Sequence, residues 1–455
     1  MLNKLKNISE SFFKGHERTV KAKKNIILSV FIKGLSMIVG FLLIRITLDY
    51  LDKTTYGIWL TLTSFLTWFT FFEVGLGNGL KNKLAEALAV KDYELGKAYV
   101  STTYAILTII VGSLAIVFFI GNSFVDWSTI INTEKELAGE LTYLSFIVFG
   151  FFFLRFVLQL ISIVLFADQR PAFANAFGPI GNLLTLILIY ILTITTEGSL
   201  IYLGWVLSIV PVLVLTIATI YLFNKDYKNI APSIKFVKMK YAKDLLSLGV
   251  KFFAIQIAGL IIYQSSTIII AQYFGPAEVT TYNIAYKYFS ILLMGFTIIV
   301  TPFWSAYTEA WVKDDIIWIK NTVNKLLKIW GMISLGGVVM LIFSEQFYDL
   351  WLSDDEVIIP FNLSFVLLIY FITYTFGGIF NMFINGVGKI KLQLILSGIS
   401  AVVFIIVAIV LIEFFDLGIV SLVLASIIAN IEGFIIAPIQ YNKIINKRAH
   451  GIWNK

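Results

Sequence analysis

Cysteine is absent from the 455 residues, and histidine occurs only twice, as His16 and His450 near the two ends. The first absence excludes disulfides, thiol chemistry and thiolate metal sites. The second excludes a histidine-based active site in the apolar body of the chain. Charge is scarce too, at 14% of residues against 58% hydrophobic, and mean hydropathy is +0.87. A soluble core does not need that composition, so the chain reads as an all-α integral membrane protein. Neither a G-x-x-x-x-G-K-[ST] loop nor an H-E-x-x-H pair occurs, so ATP hydrolysis by a P-loop and zinc protease chemistry are not expected. No cofactor, metal or enzymatic activity is expected.

Long apolar runs fill the chain instead. A bilayer crossing needs roughly 20 helical residues, and about twelve runs qualify. They fall near 25–50, 55–80, 99–121, 139–166, 172–195, 199–223, 245–273, 278–303, 322–344, 359–386, 391–412 and 418–441. The first is too long for a secretory leader and lacks a small-residue cleavage site. With the N-terminus in the cytoplasm, the inner segments collect almost all the lysine and arginine. These include Lys21, Lys23 and Lys24, then Lys81, Lys83, Lys91 and Lys97, Arg170, Lys225 to Lys243, and Lys443 to Lys455. The outer loops keep only Lys53 and Lys135. That bias predicts an even number of spans with both termini cytoplasmic.

The polar stretch around Pro232 divides the chain into two halves of about six spans each, by the same hydropathy count. The expected organisation is a basic N-terminal segment (1–24), an N-lobe (25–228), a linker (229–243), a C-lobe (244–441) and a cytoplasmic tail (442–455). The halves echo each other. TTYGI at Thr54–Ile58 returns as TTYNI at Thr280–Ile284, and AEALAVKD at Ala85–Asp92 returns as TEAWVKDD at Thr308–Asp315. An even number of spans per half gives both repeats one orientation. That predicts pseudo-twofold lobes about the membrane normal, with a site at their interface.

Charges inside the spans are the candidate functional residues. A charge at the bilayer centre costs about 2.5–3.5 kcal/mol even on the mild insertion scale, so such residues face protein or a wet path. The bases are Lys33, Arg45, Arg155, Lys251 and Lys287, and the acids are Asp49, Glu73 and Glu432. At about 1.5 Å per residue, Arg155 and Lys287 lie deepest. Arg45 and Asp49 are spaced i,i+4 near an outer end, where they either pair and snorkel or line the exit. Lys33 and Glu73 are equidistant from the turn at 51–54, so a hairpin sets them at one depth. Glu73, Asp49 and Glu432 are the candidates for ion pairing or ion coupling. The run VGLGNG (Val74–Gly79) has no strand before it, so it reads as a close-packing site or a broken helix end. Trp68, Tyr263 and Tyr286 lie deeper than an interfacial belt requires, and either stack on sugar rings or only pack.

The opening NIILSVFIKGLSMIVGFLLIRITLDYLDKTTYGIW, the segment EVGLGNGLKNKLAEALAVKD and LFADQRPAFAN (Leu165–Asn175) resemble the polysaccharide transporters of the multidrug/oligosaccharidyl-lipid/polysaccharide exporter superfamily. The nearest subgroup is the Wzx-type flippases of O-antigen and capsule repeat units. The resemblance implies the MATE-like exporter fold, two six-helix lobes around a cavity open to one side at a time. It implies a substrate, undecaprenyl-diphosphate-linked oligosaccharide, moved across the bacterial inner membrane. The partners it implies are membrane lipids, a coupling H+ or Na+, and the polymerase and chain-length proteins of the same polysaccharide. Buried arginine and lysine suit a diphosphate. Two other classes stand beside this one. A drug or small-cation exporter of the superfamily would favour buried acids, whereas bases at least match acids here. A membrane polysaccharide polymerase or ligase would need a sizeable outer loop, which is lacking.

Overall fold

A computed structural model describes residues 17–70, 76–168, 170–242, 245, 264–300, 303–352 and 357–454. Among them every regular element is helical. In chain order the helices are α1 (Glu17–Tyr50), α2 (Lys53–Phe69), α3 (Leu76–Ala89), α4 (Tyr93–Asn122), α5 (Trp127–Ile131), α6 (Ala138–Leu158), α7 (Leu160–Ala167), α8 (Pro171–Thr195) and α9 (Leu200–Asn224). After short 3-10 turns between 228 and 241 come helical residues 264–274, then α10 (Pro276–Val300), α11 (Phe303–Val312), α12 (Ile316–Ile342) and α13 (Ser344–Trp351). The chain closes with α14 (Phe361–Val387), α15 (Lys391–Phe415), α16 (Val420–Ala429), a π-helical turn (Glu432–Ile436) and α17 (Ala437–Ile445).

Nine stretches among the described residues are long and apolar enough to cross a membrane, with α6 continuing into α7 and α16 into α17. Their outer faces show the solvent they are built for. Ile109, Ile116, Val117 and Ile120 are exposed on α4, Met332, Leu335, Val339 and Ile342 on α12, and Ile399, Val402 and Ile406 on α15. Apolar surface on this scale is stable only against lipid. The spans expected at 25–50, 55–80 and 245–273 are not among the nine. A helix runs over the first, from Glu17 to Tyr50. The helix over the second stops at Phe69, short of residues 71–75. Most of the third lies outside the described residues.

The chain separates into two compact units. Unit 1 comprises Met1–Tyr50, Phe72–Val125 and Gly139–Val250. Here α8 is flanked by α1 and α9, while α3 packs on α4 and α7. Gly79, the last residue of VGLGNG, sits under the Leu245 carbonyl, and a Cβ there would fall 2.0 Å from that oxygen. The close-packing reading of the run is the one its last glycine supports. The stretch after α9 ties back onto α4. Ser233 N donates to Ser101 Oγ at 3.0 Å and Lys238 N to Thr102 Oγ1 at 2.9 Å.

Unit 2 comprises Leu51–Phe71, Asp126–Ala138 and Lys251–Lys455. Its axis is α14, surrounded by α10, α11, α12, α16, the π-turn and α17. Phe289, Tyr307, Phe371 and Phe383 fill the spaces between them and are fully buried. The two TTY motifs meet here. Thr280 Oγ1 donates to the Lys53 carbonyl at 2.8 Å, and Lys53 lies 3.8 Å from Glu278. A Cβ on Gly57 would fall 1.8 Å from the Pro276 carbonyl oxygen. Half-exposed ion pairs are worth about 0–1 kcal/mol, so the close backbone approach at Gly57 decides this contact. α5 is held beside it. Asn132 Nδ2 donates to the carbonyls of Ala271 and Gln272, at 3.2 and 3.0 Å, and Gln272 Nε2 returns a bond to the Thr129 carbonyl at 3.0 Å.

The second echoed motif folds the same way twice. In AEALAVKD, Asp92 N donates to the Ala87 carbonyl at 2.9 Å and Lys91 N to Leu88 at 3.1 Å. In TEAWVKDD, Asp315 N donates to Ala310 at 2.9 Å and Asp314 N to Trp311 at 3.1 Å. Lys91 and Asp314 both take the left-handed conformation, at φ 59° and 53°. This is the Schellman closure of a helix end. Asp92 and Asp315 then cap the next helix, accepting from Leu95 N and Trp318 N at 3.0 Å each. Eight residues of related sequence thus build one turn in each half.

Candidate substrate site

Arg155 lies on α6, in the run GFFFLRF, one turn before the helix hitches at Gln159. Arg155, Gln159 and Ser162 follow an i, i+4, i+7 spacing and form one polar stripe. Facing it are Ala174, Phe177, Gly178, Gly181 and Asn182 of α8, with Pro211 and Leu215 of α9. Together they line a partly open cavity of about 170 Å³ inside unit 1, at which Arg155 is exposed. The sequence makes this space in a definite way. Gly178 and Gly181 remove side chains from the α8 wall. Pro179 and Pro211 lie inside their helices, so the carbonyls four residues earlier, Asn175 and Leu207, lose their helical donors. The guanidinium brings five donors and no acceptor. No carboxylate among the described residues pairs with it. Such a cavity suits an anion with several oxygens, because charge-assisted bonds to phosphate or carboxylate are the strong ones.

The mouth of α8 is fixed by LFADQRPAFAN. Arg170 Nη1 donates to Asp226 Oδ2 at 2.6 Å, and Arg170 Nε lies 3.1 Å from Asp168 Oδ2. Tyr227 OH donates to the same Asp168 oxygen at 2.7 Å. The bond to Asp226 pushes the Arg170 guanidinium further above its usual value, so this clamp stays charged at any pH of interest. It ties the start of α8 to the end of α9, one turn from Ala174 in the cavity wall.

Arg45 and Asp49 lie one turn apart on α1 and share a second, open groove of about 510 Å³. Its other walls are Leu42 and Ile46 with Leu186, Ile187, Tyr190 and Thr193 of α8. At 3.6 residues per turn, these residues occupy a different side of α8 from the Arg155 cavity. Arg45 and Arg155 therefore line separate spaces in unit 1. In unit 2, Lys287 is exposed on α10 and makes no ion pair among the described residues. Glu432 opens the π-turn, half-buried, with the Asn381 amide hydrogen-bonded to it and Tyr374 beside it. The side chains of Lys33, Glu73 and Lys251 lie outside the described residues, as does Tyr263. Gln159, Ser162 and Asn182 were not among the sequence candidates, because uncharged polar residues in apolar spans are common. The i+4 and i+7 spacing of Gln159 and Ser162 from Arg155 was the available signal, and Asn182, on another helix, gave none.

Three comparisons place this geometry among known proteins. Residues 22–307 match the family described as polysaccharide biosynthesis protein. A Salmonella typhi protein named for O-antigen transport is 25% identical over 360 residues, covering 77% of this chain and 79% of its own. A Yersinia pseudotuberculosis protein named for O-antigen export is 20% identical over 384 residues, covering 80% and 84%. An inward-facing structure of a multidrug resistance MATE transporter superposes with a TM-score of 0.75 at 15% identity, over 93% of this chain and all of that one. At that identity the likeness establishes the fold. The names of the relatives and the multi-pass helical body together make this a membrane exporter or flippase and not an enzyme. The chain belongs to the family described as polysaccharide biosynthesis protein.

Proposed function

We propose that the protein flips an undecaprenyl-diphosphate-linked oligosaccharide, an O-antigen or capsule repeat unit, from the cytoplasmic to the outer leaflet of the bacterial inner membrane. The observation that carries this reading is the polar cavity at Arg155, a guanidinium inside a membrane helix with no acidic partner among the described residues. A diphosphate provides the missing negative charge, and Gln159, Ser162 and Asn182 add neutral donors and acceptors. Lys287 is the corresponding candidate in unit 2. Lys33 and Lys251 complete the proposed set of phosphate-holding bases. Arg45 belongs near the exit, where its apolar groove suits the polyprenyl tail. The relatives named for O-antigen transport and export support the same substrate class.

The test separates binding from folding. Arg155→Gln and Lys287→Gln are expected to keep expression and thermal stability while surface polysaccharide is lost and lipid-linked repeat units build up on the cytoplasmic face. Arg155→Lys is expected to keep part of the activity, since charge survives and the planar fork does not. Normal export by well-folded neutral variants would refute the reading.

A further inference from the structure

One face of α1 changes character along its length. Phe31, Leu35, Ile38 and Leu42 are all exposed, and their i, i+4, i+7, i+11 spacing puts them in a single stripe. The stripe runs about 16 Å at 1.5 Å per residue. That is about half of the roughly 30 Å hydrocarbon core, the depth of one leaflet. Arg45 and Asp49, both exposed, continue the same face by one turn and by two. Here the face becomes one wall of the open groove of about 510 Å³, with α8 as the other. From Gly34 to Tyr50 and from Pro171 to Thr195, Arg45 and Asp49 are the only charged residues.

Depth orders the groove. Tyr50 OH and Thr196 Oγ1, 3.0 Å apart, tie the tops of the two helices. Counting down from that bond, Asp49 and Thr193 come first, Arg45 and Tyr190 next, and Leu42 and Ile187 at the deep end. Asp49 makes no ion pair among the described residues, so the two charges do not close on each other. A base above an apolar stripe, with an acid one turn higher, has the polarity of an amino phospholipid. On the topology that the lysine and arginine bias predicts, this end of α1 meets the outer leaflet. In such a lipid the phosphate lies nearer the hydrocarbon and the ammonium farther out. The rise from Arg45 to Asp49 is about 6 Å, a separation that a two-carbon amino-alcohol headgroup bridges. The guanidinium fork suits phosphate oxygens, and the carboxylate accepts from an ammonium. A diphosphate would meet one base and a repelling carboxylate, so charge complementarity favours a zwitterion over the head of the cargo.

We infer that the groove between α1 and α8 is a binding site for a zwitterionic phospholipid with a primary ammonium. Its phosphate rests on Arg45, its ammonium on Asp49 and an acyl chain along the stripe from Leu42 to Phe31. The site is independent of the cargo: a polyprenyl tail leaving by this groove displaces the seated lipid.

Native mass spectrometry tests this on the purified full-length protein, offered phosphatidylethanolamine, phosphatidylcholine and phosphatidylglycerol with identical chains. Wild type should retain phosphatidylethanolamine over the other two by up to about fivefold, the most that one exposed ion pair gives. Asp49→Asn should bring it down to the level of phosphatidylcholine. Arg45→Gln should lower retention of all three, and Arg45→Lys should restore part of it. Exchanging the charges, Arg45→Asp with Asp49→Arg, keeps the composition and should abolish the preference. Both side chains are exposed, so the variants should melt as wild type does. Equal retention of the three lipids by wild type overturns the site, and so does a preference that survives Asp49→Asn. Tighter retention of an added polyprenyl diphosphate, lost in Arg45→Gln, also overturns it and gives the groove to the head of the cargo. Lipid retention reads the groove whatever is exported, so its failure is distinct from that of the Arg155 reading.

Discussion

Asp126 shows how much one exposed residue does. It caps α5, accepting from Ser128 N and Thr129 N and from both hydroxyls. Those bonds hold its carboxyl down at about 2, from 3.8. A depressed carboxyl stabilises the folded state fully above its unfolded value and loses that contribution as pH falls through the folded one. The cap is therefore expected to hold at neutral pH and to weaken between pH 3.8 and about 2. Asp126→Asn should flatten the thermal stability profile over that window, and Asp126→Ala should lower stability at neutral pH, both read from melting curves. A profile unchanged by Asp126→Asn would contradict the assignment. The residue scale was also where the sequence was least legible. Arg155 stood out because a charge in an apolar run is expensive. Gln159 and Asn182 did not, since neutral amides cost less and need a partner on another helix to become a site. Glu432 was visible as an acid, whereas the π-turn it opens and the Tyr374 beside it arise only in the fold.

Elements were more legible. Hydropathy located the spans, and the ends of α4, α8, α9, α14 and α15 fall within a few residues of their expected limits, α4 excepted at its start. There Asp92 caps the helix from Tyr93, and Leu95, Gly96 and Lys97 belong to its first turns. Periodicity cannot supply such a start, because it comes from the Schellman turn before it. That turn yields a paired prediction. Lys91 and Asp314 sit at left-handed φ, which costs non-glycine residues about 1–2 kcal/mol. Lys91→Gly and Asp314→Gly should each raise stability by up to about 1 kcal/mol. Asp92→Ala and Asp315→Ala should each remove about 1 kcal/mol of capping. Matched shifts in melting temperature between the two halves are expected from a true repeat. A large effect in one half and none in the other would mark the echo of AEALAVKD and TEAWVKDD as coincidental.

At the scale of the whole molecule, the lysine and arginine bias makes the topology testable in a chain without native cysteine. Ser233→Cys should resist an impermeant thiol reagent applied to intact cells and react once the membrane is opened. Labelling from outside would reverse the orientation. Fold class was fully legible here, because composition alone excludes a soluble core. The grouping of segments was not, since unit 2 takes Leu51–Phe71 and Asp126–Ala138 from the first half of the chain. Nothing in a hydropathy plot says that Gly57 will rest on Pro276. That grouping has a consequence for synthesis. The bonded pair Thr280 and Lys53 is 227 residues apart. At about 5–20 residues per second, a ribosome needs roughly 10–45 s to cover that interval. Throughout it α2 stands in the bilayer with the faces of Gly57 and Ile58 uncovered. A second half supplied as a separate polypeptide should complete the fold, and a first half made alone should remain a client of the membrane's proteases.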